Sequence, residues 1–305
     1  MKNFLKLSFW LSLGAIFFVF SGCGEEGNKP ENFKSAEDAG GALYEVEEDI
    51  FLMLYQLDGA TDLAENFDGN YSPVFDFKTK PATSGLKKRL STNTFGYNAQ
   101  TGYWTFDTTL TDTALTLFAN GKIKFTPRDL VTGLPNESTQ TMQYDLTAGM
   151  SEQSGASYLD LNYESDLLLE GIAAFRAATG NIMMDGSEAL KFSLDITIES
   201  EHIVGEYHHS YTINDVVISP SSNYPQSGNL TFTVKRTLNV DFFGEDFYVK
   251  GKITFDGSNI AVLEFGGYTF HINLNGPNIV EFNQTKPSGL RLNNTSQFYD
   301  FKFSK

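Results

Sequence analysis

With one cysteine in 305 residues, the chain cannot build an intrachain disulfide even in an oxidising compartment. Its stability has to come from packing. Basic residues are also short: 22 Lys and Arg face 38 Asp and Glu, for a formal net charge of -16. A surface of that sign repels phosphate backbones and anionic headgroups, so nucleic acid is not an expected partner. The usual catalytic signatures are missing as well. There is no G-x-S-x-G, no H-E-x-x-H, no phosphate loop and no Cys pair.

What is present begins with a bipartite N-terminus. Lys2 and Lys6 form a short positive region, and Leu7 to Phe20 is an apolar core that includes Trp10, Ile16, Phe17 and Phe18. That core is shorter than the ~20 apolar residues a spanning helix needs, and no basic stop-transfer flank follows it. A cleaved signal is the expectation. The core ends at Phe20-Ser21-Gly22-Cys23, which puts the lone cysteine directly behind small residues.

This stretch resembles the lipobox of bacterial lipoproteins, with Phe20 where that family usually has Leu. The resemblance implies cleavage between Gly22 and Cys23 and acylation of Cys23, a palmitate-type anchor that holds the protein on a membrane. By the family's sorting pattern, Gly24 after the cysteine points to the outer membrane, with the domain facing the periplasm or the cell surface. Each buried methylene contributes roughly 0.8 kcal/mol, so several acyl chains anchor where one would not. Loss of residues 1–22 removes Lys2 and Lys6 and no acid, which moves the formal charge from -16 to -18.

The expected organisation is a signal peptide over 1–22, a flexible tether over 23–34 and a single β-rich domain over 35–305. Gly24 to Lys34 is polar, holds Gly27, Pro30 and three glutamates, and has no periodicity. Ser35-Ala36-Glu37-Asp38 then looks like a helix start. Leu43, Val46, Ile50, Phe51, Leu54 and Leu57 recur at three- and four-residue intervals, with Gly59 as the expected stop. Glu45, Glu48 and Asp49 are expected to face out, and Glu47 falls inside the apolar stripe.

From Tyr103 the period changes to two. Trp104, Phe106, Thr108 and Leu110 form one face, and Asn120-Gly121 between two short apolar runs predicts a hairpin. Leu159, Leu161 and Tyr163 alternate with Asp160, Asn162 and Glu164. So do Leu190, Phe192, Leu194 and Ile196 with Lys191, Ser193 and Asp195. A run from Leu230 to Phe242 alternates the same way and carries Arg236 on its apolar side. Residues 166–184 fit helix or strand. Twenty-seven Phe and fourteen Tyr favour pleated surfaces, and turns this close together favour antiparallel neighbours.

The fold class is therefore mainly β, an antiparallel meander with one wet face. It forms either a β-sandwich or a curved half-barrel, with one N-terminal amphipathic helix packed on it. The half-barrel loosely resembles the periplasmic carriers that ferry lipoproteins, in the order of helix and meander alone.

Candidate chemistry is sparse. His202, His208 and His209 stand near Glu201 and Glu206, but His208 and His209 point to opposite faces of a strand, so surface histidines are the expectation rather than a metal site. His271 is expected on the wet face. Asn66, Asp68 and Asn70 are spaced like the opening of a calcium loop, yet Tyr71 and Phe77 stand where its glycine and closing glutamate belong. Tyr97, Tyr103 and Trp104 offer either a sugar platform or packing.

No catalytic, metal or cofactor residue is assigned. The only site residues are Gly22 and Cys23, for cleavage and lipid attachment. The expected function is a membrane-anchored, non-enzymatic interaction module with an envelope protein as partner. A carrier of an apolar ligand held between helix and sheet is the alternative, and a secreted hydrolase using an unselected carboxylate pair the lesser one.

Overall fold

The structure is a computed structural model that describes residues 33, 36–69, 90–111, 114–198, 201–240, 243–274 and 279–282. Gly22, Cys23, the tether apart from Phe33, Ser35 of the expected helix start, and Asn70, Tyr71 and Phe77 of the calcium-like segment lie outside these residues, whereas Phe33, expected in the flexible tether, is buried.

Twelve strands form one antiparallel sheet in strict sequence order, β1 to β12, and no pairing joins the first to the last among the described residues. The strands are β1 (Leu90–Asn98), β2 (Tyr103–Thr111), β3 (Leu115–Thr126), β4 (Thr141–Ser154), β5 (Ser157–Glu170), β6 (Ile182–Ile198), β7 (Glu201–Ile218), β8 (Ser227–Val240), β9 (Phe243–Thr254), β10 (Ile260–Phe265), β11 (Tyr268–Asn273) and β12 (Ile279–Phe282). Two helices precede them, α1 (Ala36–Glu45) and α2 (Glu47–Asn66), and a short α3 (Ile172–Arg176) links β5 to β6. Between the alternatives of sandwich and half-barrel, the single sheet decides for the half-barrel.

The alternation predicts the faces well. Phe106, Leu161, Leu190, Phe192, Leu230 and Phe232 all join one core that also contains Leu43, Val46, Ile50, Leu54 and Leu57 of the helices. One core reaching from β2 to β11 through the same helix means that the sheet curls around α2. Ile50, Met53 and Leu57 are completely buried. Only Leu52, Tyr55, Asp58, Asp62, Glu65 and Asn66 of the described α2 side chains from Leu52 onward escape full burial. A helix with so narrow a wet stripe is enclosed rather than laid on a surface.

Three expectations are corrected. The helix does not stop at Gly59: the buried Ala60, Thr61, Leu63 and Ala64 continue it to Asn66, while a break at Val46 divides it in two. Residues 166–184 are neither helix nor strand throughout. β5 runs to Glu170, α3 follows and β6 begins at Ile182.

The third correction concerns Asn120-Gly121, which is no hairpin but the middle of β3. Gly121 pairs with Phe106 across the strands, and a Cβ there would collide with the Phe106 ring and the Asp145 carbonyl. Phe118 covers Gly149 and Phe232 covers Gly251 in the same way. A ring lying over a strand glycine compensates its missing side chain and lets the sheet bend. Bulges between Met184 and Gly186 and between Asn214 and Val217 add curvature, helped by positive φ at Gly186 and Gly228.

The meander gives the two ends of the sheet different characters. Two residues separate β4 from β5, β6 from β7, β8 from β9 and β10 from β11, whereas fourteen separate β3 from β4, eleven β5 from β6 and eight β7 from β8. Phe33 stacks on Phe265 at 5.4 Å, beside the β10–β11 turn, so the chain enters at the short-turn end. Phe67 packs on Trp104 and Phe125, and Arg176 Nε donates to the Glu65 carbonyl, so α2 finishes at the long-loop end.

Gly121→Val is expected to lower stability by about 1–3 kcal/mol through overpacking, while Asn120→Ala changes it by less than about 0.5 kcal/mol. Urea denaturation measures both. A turn at this position would make Asn120→Ala costly as well, because a two-residue turn demands positive φ of both Asn120 and Gly121.

Candidate functional site

Polar side chains break the apolar concave face at a single layer, between α2 and the middle strands. The register places them. Ser165 of β5 is opposite Glu188 of β6, which is opposite Tyr211 of β7; one row along, Tyr163 is aligned with Leu190 and His209, and in the next Phe192 with Tyr207 and Arg236. All carry the parity that points inward. From α2, Asp49 and Gln56 lie seven residues apart, two turns on the same side, and face this layer.

Asp49 anchors the lower part. It accepts a hydrogen bond from the Tyr207 hydroxyl, its Oδ2 lies 3.2 Å from Arg236 Nη2, and its Oδ1 is 4.0 Å from His209 Nδ1. The Arg236 guanidinium also packs over the rings of Tyr207 and Phe247. Asp49 was expected to face out; it is 5% exposed, because it lies three residues after the buried Val46 and two turns before Gln56, on the enclosed side of the helix, where its carboxylate meets a guanidinium and a phenol. His209 was expected on the surface and is buried at 2% exposure, while His208 takes the outer face as the strand period requires. Burial holds the His209 imidazole below its ordinary pKa, with the Asp49 charge acting in the opposite direction. Its Nε2 has no hydrogen-bond partner among the described residues.

Gln56 and Glu188 make the upper part. Gln56 Nε2 donates to the Tyr163 hydroxyl at 3.2 Å, and the Tyr211 hydroxyl donates to Gln56 Oε1 at 2.5 Å. Tyr163 donates to Glu188 Oε2 at 2.5 Å and Ser165 to Glu188 Oε1 at 3.1 Å. Burial pushes the Glu188 carboxyl up to about 7, against the hydrogen bonds from Tyr163, Tyr211 and Ser165 that favour its charged form. Tyr211 is raised well above its ordinary value, first by burial and then by the carboxylate.

The other candidates are dispersed. His202 Nε2 lies 2.8 Å from Asp195 on the outer face, and His271 points outward from β11, half-buried. Tyr103 is on the outer face beneath Lys122 and Lys124, whereas Trp104 points inward, stacks on Phe95 and donates to the Gly133 carbonyl. The expected aromatic trio therefore does not form one platform. Asn66 donates to Asp62, and Asp256 caps its own turn through the Ser258 amide. No cluster of three or more His, Cys, Asp or Glu able to hold a metal ion occurs among the described residues.

A trough of about 760 Å³ crosses the outer face between side chains such as Lys122, Asp145, Asp166, Ser187 and Thr212, and no helix residue lines it. Its only ion pair among the described residues is Lys122 with Asp145 at 3.4 Å.

Sequence inspection passed over Glu188 and Gln56, although the signal for Glu188 exists. It shares parity with Leu190, Phe192 and Leu194, so a carboxylate stands in an apolar row, as Arg236 does in its own. Fold and layer define a class by geometry alone: an open antiparallel half-barrel filled by its own helix. No protein-family model, curated protein or solved structure matches the chain.

Asp49→Ala is expected to destabilise the protein by about 3–5 kcal/mol, since it removes the buried carboxylate that meets Tyr207 and Arg236. Asp62→Ala, on the wet stripe of the same helix, is the reference. Comparable urea midpoints for the two variants would show that Asp49 does not anchor the helix.

Proposed function

We propose that the chain is a membrane-anchored, non-enzymatic interaction module of the bacterial envelope, tethered through acyl chains on Cys23, that meets its partner with the long-loop end of the sheet. The observation that carries this reading is the occupied concavity. A carrier keeps its groove for a ligand, and here Ile50, Met53 and Leu57 fill it at zero exposure. Among the described residues no helix is long and apolar enough to cross a membrane.

Geometry supports the assignment of ends. Phe33 enters beside the β10–β11 turn, ten residues after Cys23, so an anchor there puts the short-turn end towards the membrane. Strands of 12 to 18 residues then carry the long loops about 40–60 Å away.

The β3–β4 loop there presents Leu130 and Val131 at 75% and 86% exposure. This is a built loop. Asp129 Oδ1 accepts from the amides of Val131 and Thr132 and from the Thr132 hydroxyl, which holds its carboxyl below the ordinary range. Arg128 Nε donates to Tyr97, Trp104 to Gly133 and Thr139 to Pro127. An apolar tip kept rigid loses little entropy on docking, which is how a small contact becomes a useful one.

Replacing Val131 by a photo-crosslinking amino acid in cells is expected to capture one discrete envelope protein, lost when Leu130 is changed to Ser. The same probe at Lys235, on the outer face of β8, should not capture it. Cys23→Ala should move the chain out of the membrane fraction. Identical captures at both positions, or palmitate labelling of the chain that survives Cys23→Ala, would contradict the reading.

A further inference from the structure

One ring nitrogen in the core goes unmatched. His209 is 2% exposed, its Nε2 has no hydrogen-bond partner among the described residues, and its Nδ1 stands 4.0 Å from Asp49 Oδ1, too far for a hydrogen bond. Across the strands it is aligned with Leu190 of β6 and Val234 of β8, both buried. Along β7 its neighbours on the same face are Tyr207 and Tyr211, with ring centroids 6.5 and 5.7 Å from the imidazole. These two tyrosines are the ones that donate to Asp49 and Gln56 of α2. The unmatched nitrogen therefore lies between the two points at which β7 holds the helix.

The neutral ring tolerates this place. It can keep its single proton on Nδ1, towards Asp49, and leave Nε2 a bare acceptor among apolar groups. The charged ring cannot. Imidazolium carries a donor on each nitrogen, so Nε2 would hold a charged N–H that no acceptor meets, in surroundings that favour the uncharged form. Asp49 offers little relief, because its carboxylate already accepts from Tyr207 and lies 3.2 Å from the Arg236 guanidinium. Water is the remaining acceptor, and it reaches Nε2 only where the helix parts from the strand.

We propose that His209 is an acid-sensitive catch between β7 and α2: protonation of its ring parts the helix from Tyr207 and Tyr211 and lets water into the concavity. The strand pairings on either side of β7 are made by the backbone and do not depend on the ring.

Among the described residues, the titratable and charged groups around the ring are Asp49 from α2, Tyr163 from β5, Glu188 from β6, Tyr207 and Tyr211 from β7, and Arg236 from β8, with His208 adjoining on the outer face. Burial lowers the His209 value first, Asp49 opposes it, and His208 and Arg236 add to the lowering. A folded value below the ordinary 6.5 means that the opened state binds more protons, so the penalty is absent well above pH 6.5 and grows as the pH falls through it. Glu188 runs the other way. Burial raises its carboxyl to about 7, and its contribution is complete below pH 4.5 and lost as the pH rises through about 7. His208, lowered by burial and then by Lys191 and Lys235, has the same sign as His209. Two proteins that both keep Glu188 and His208 isolate the His209 effect. The catch does not depend on the partner proposed above.

The test is hydrogen exchange of the α2 and β4 amides in the full chain at pH 7.5 and 5.0, corrected for intrinsic chemical rates, in the wild type and in His209→Phe, which fills the same space with no proton to gain. The ratio of the wild-type α2 opening constant to that of the variant is expected to grow by up to roughly 30-fold on acidification, the linkage value for an imidazole of ordinary 6.5 that the closed state does not protonate. The same ratio for β4 should stay constant. A ratio for α2 that is equal at both pH values, or a β4 ratio that grows with it, overturns the proposal. An NMR titration of the wild-type histidine rings needs no variant. His209 should remain neutral at pH 5.5 wherever α2 is protected, and a charged ring beneath a protected helix overturns the catch.

Discussion

Twelve strands in sequence order produce an apolar face far larger than one sheet can leave wet, and covering that face is the constraint on which everything else rests. A closed barrel would cover it by joining β1 to β12. Here the sheet stays open and α2 fills it, so one core connects Leu43 near the start of the described chain to Leu274 near its end. Full burial of a leucine-sized side chain contributes roughly 1.5–3 kcal/mol, and α2 places several at zero exposure. Curvature follows from the same demand, through glycines under phenylalanine rings and bulges at Gly186 and Gly228.

Apolar burial alone would let a helix slide or rotate in such a groove. The polar layer removes that freedom. Asp49 requires Tyr207 and Arg236, and Gln56 requires Tyr163 and Tyr211, two turns apart and across four strands. Buried ionic groups are a weak source of net stability but a good source of uniqueness, since each wrong register strands a charge.

The faces of the sheet were legible because period two is written directly in runs such as Leu190 to Ile196, and the helix was legible from Val46 to Leu57. Errors came where tertiary contacts outweigh local rules. Asn120-Gly121 has the composition of a turn, but its glycine makes room for Phe106 at least about 17 Å of strand away from either strand end. Gly59 reads as a stop, yet burial continues the helix beyond it. Asp49 and His209 read as surface residues because each is polar by itself, and only the curled sheet brings their partners within reach. Glu188 and Arg236 sat visibly in apolar rows, and two charges of opposite sign out of place on β6 and β8, either side of β7, are the trace that a sequence leaves of a buried polar layer.

The central claim is that the concavity belongs to the protein's own helix. Native mass spectrometry of the full chain, extracted from the membrane that carries it, tests this most directly. The account predicts the polypeptide mass with its covalent anchor and nothing else bound. A second, non-covalent apolar mass retained by the folded domain would contradict it and would return the groove to a ligand.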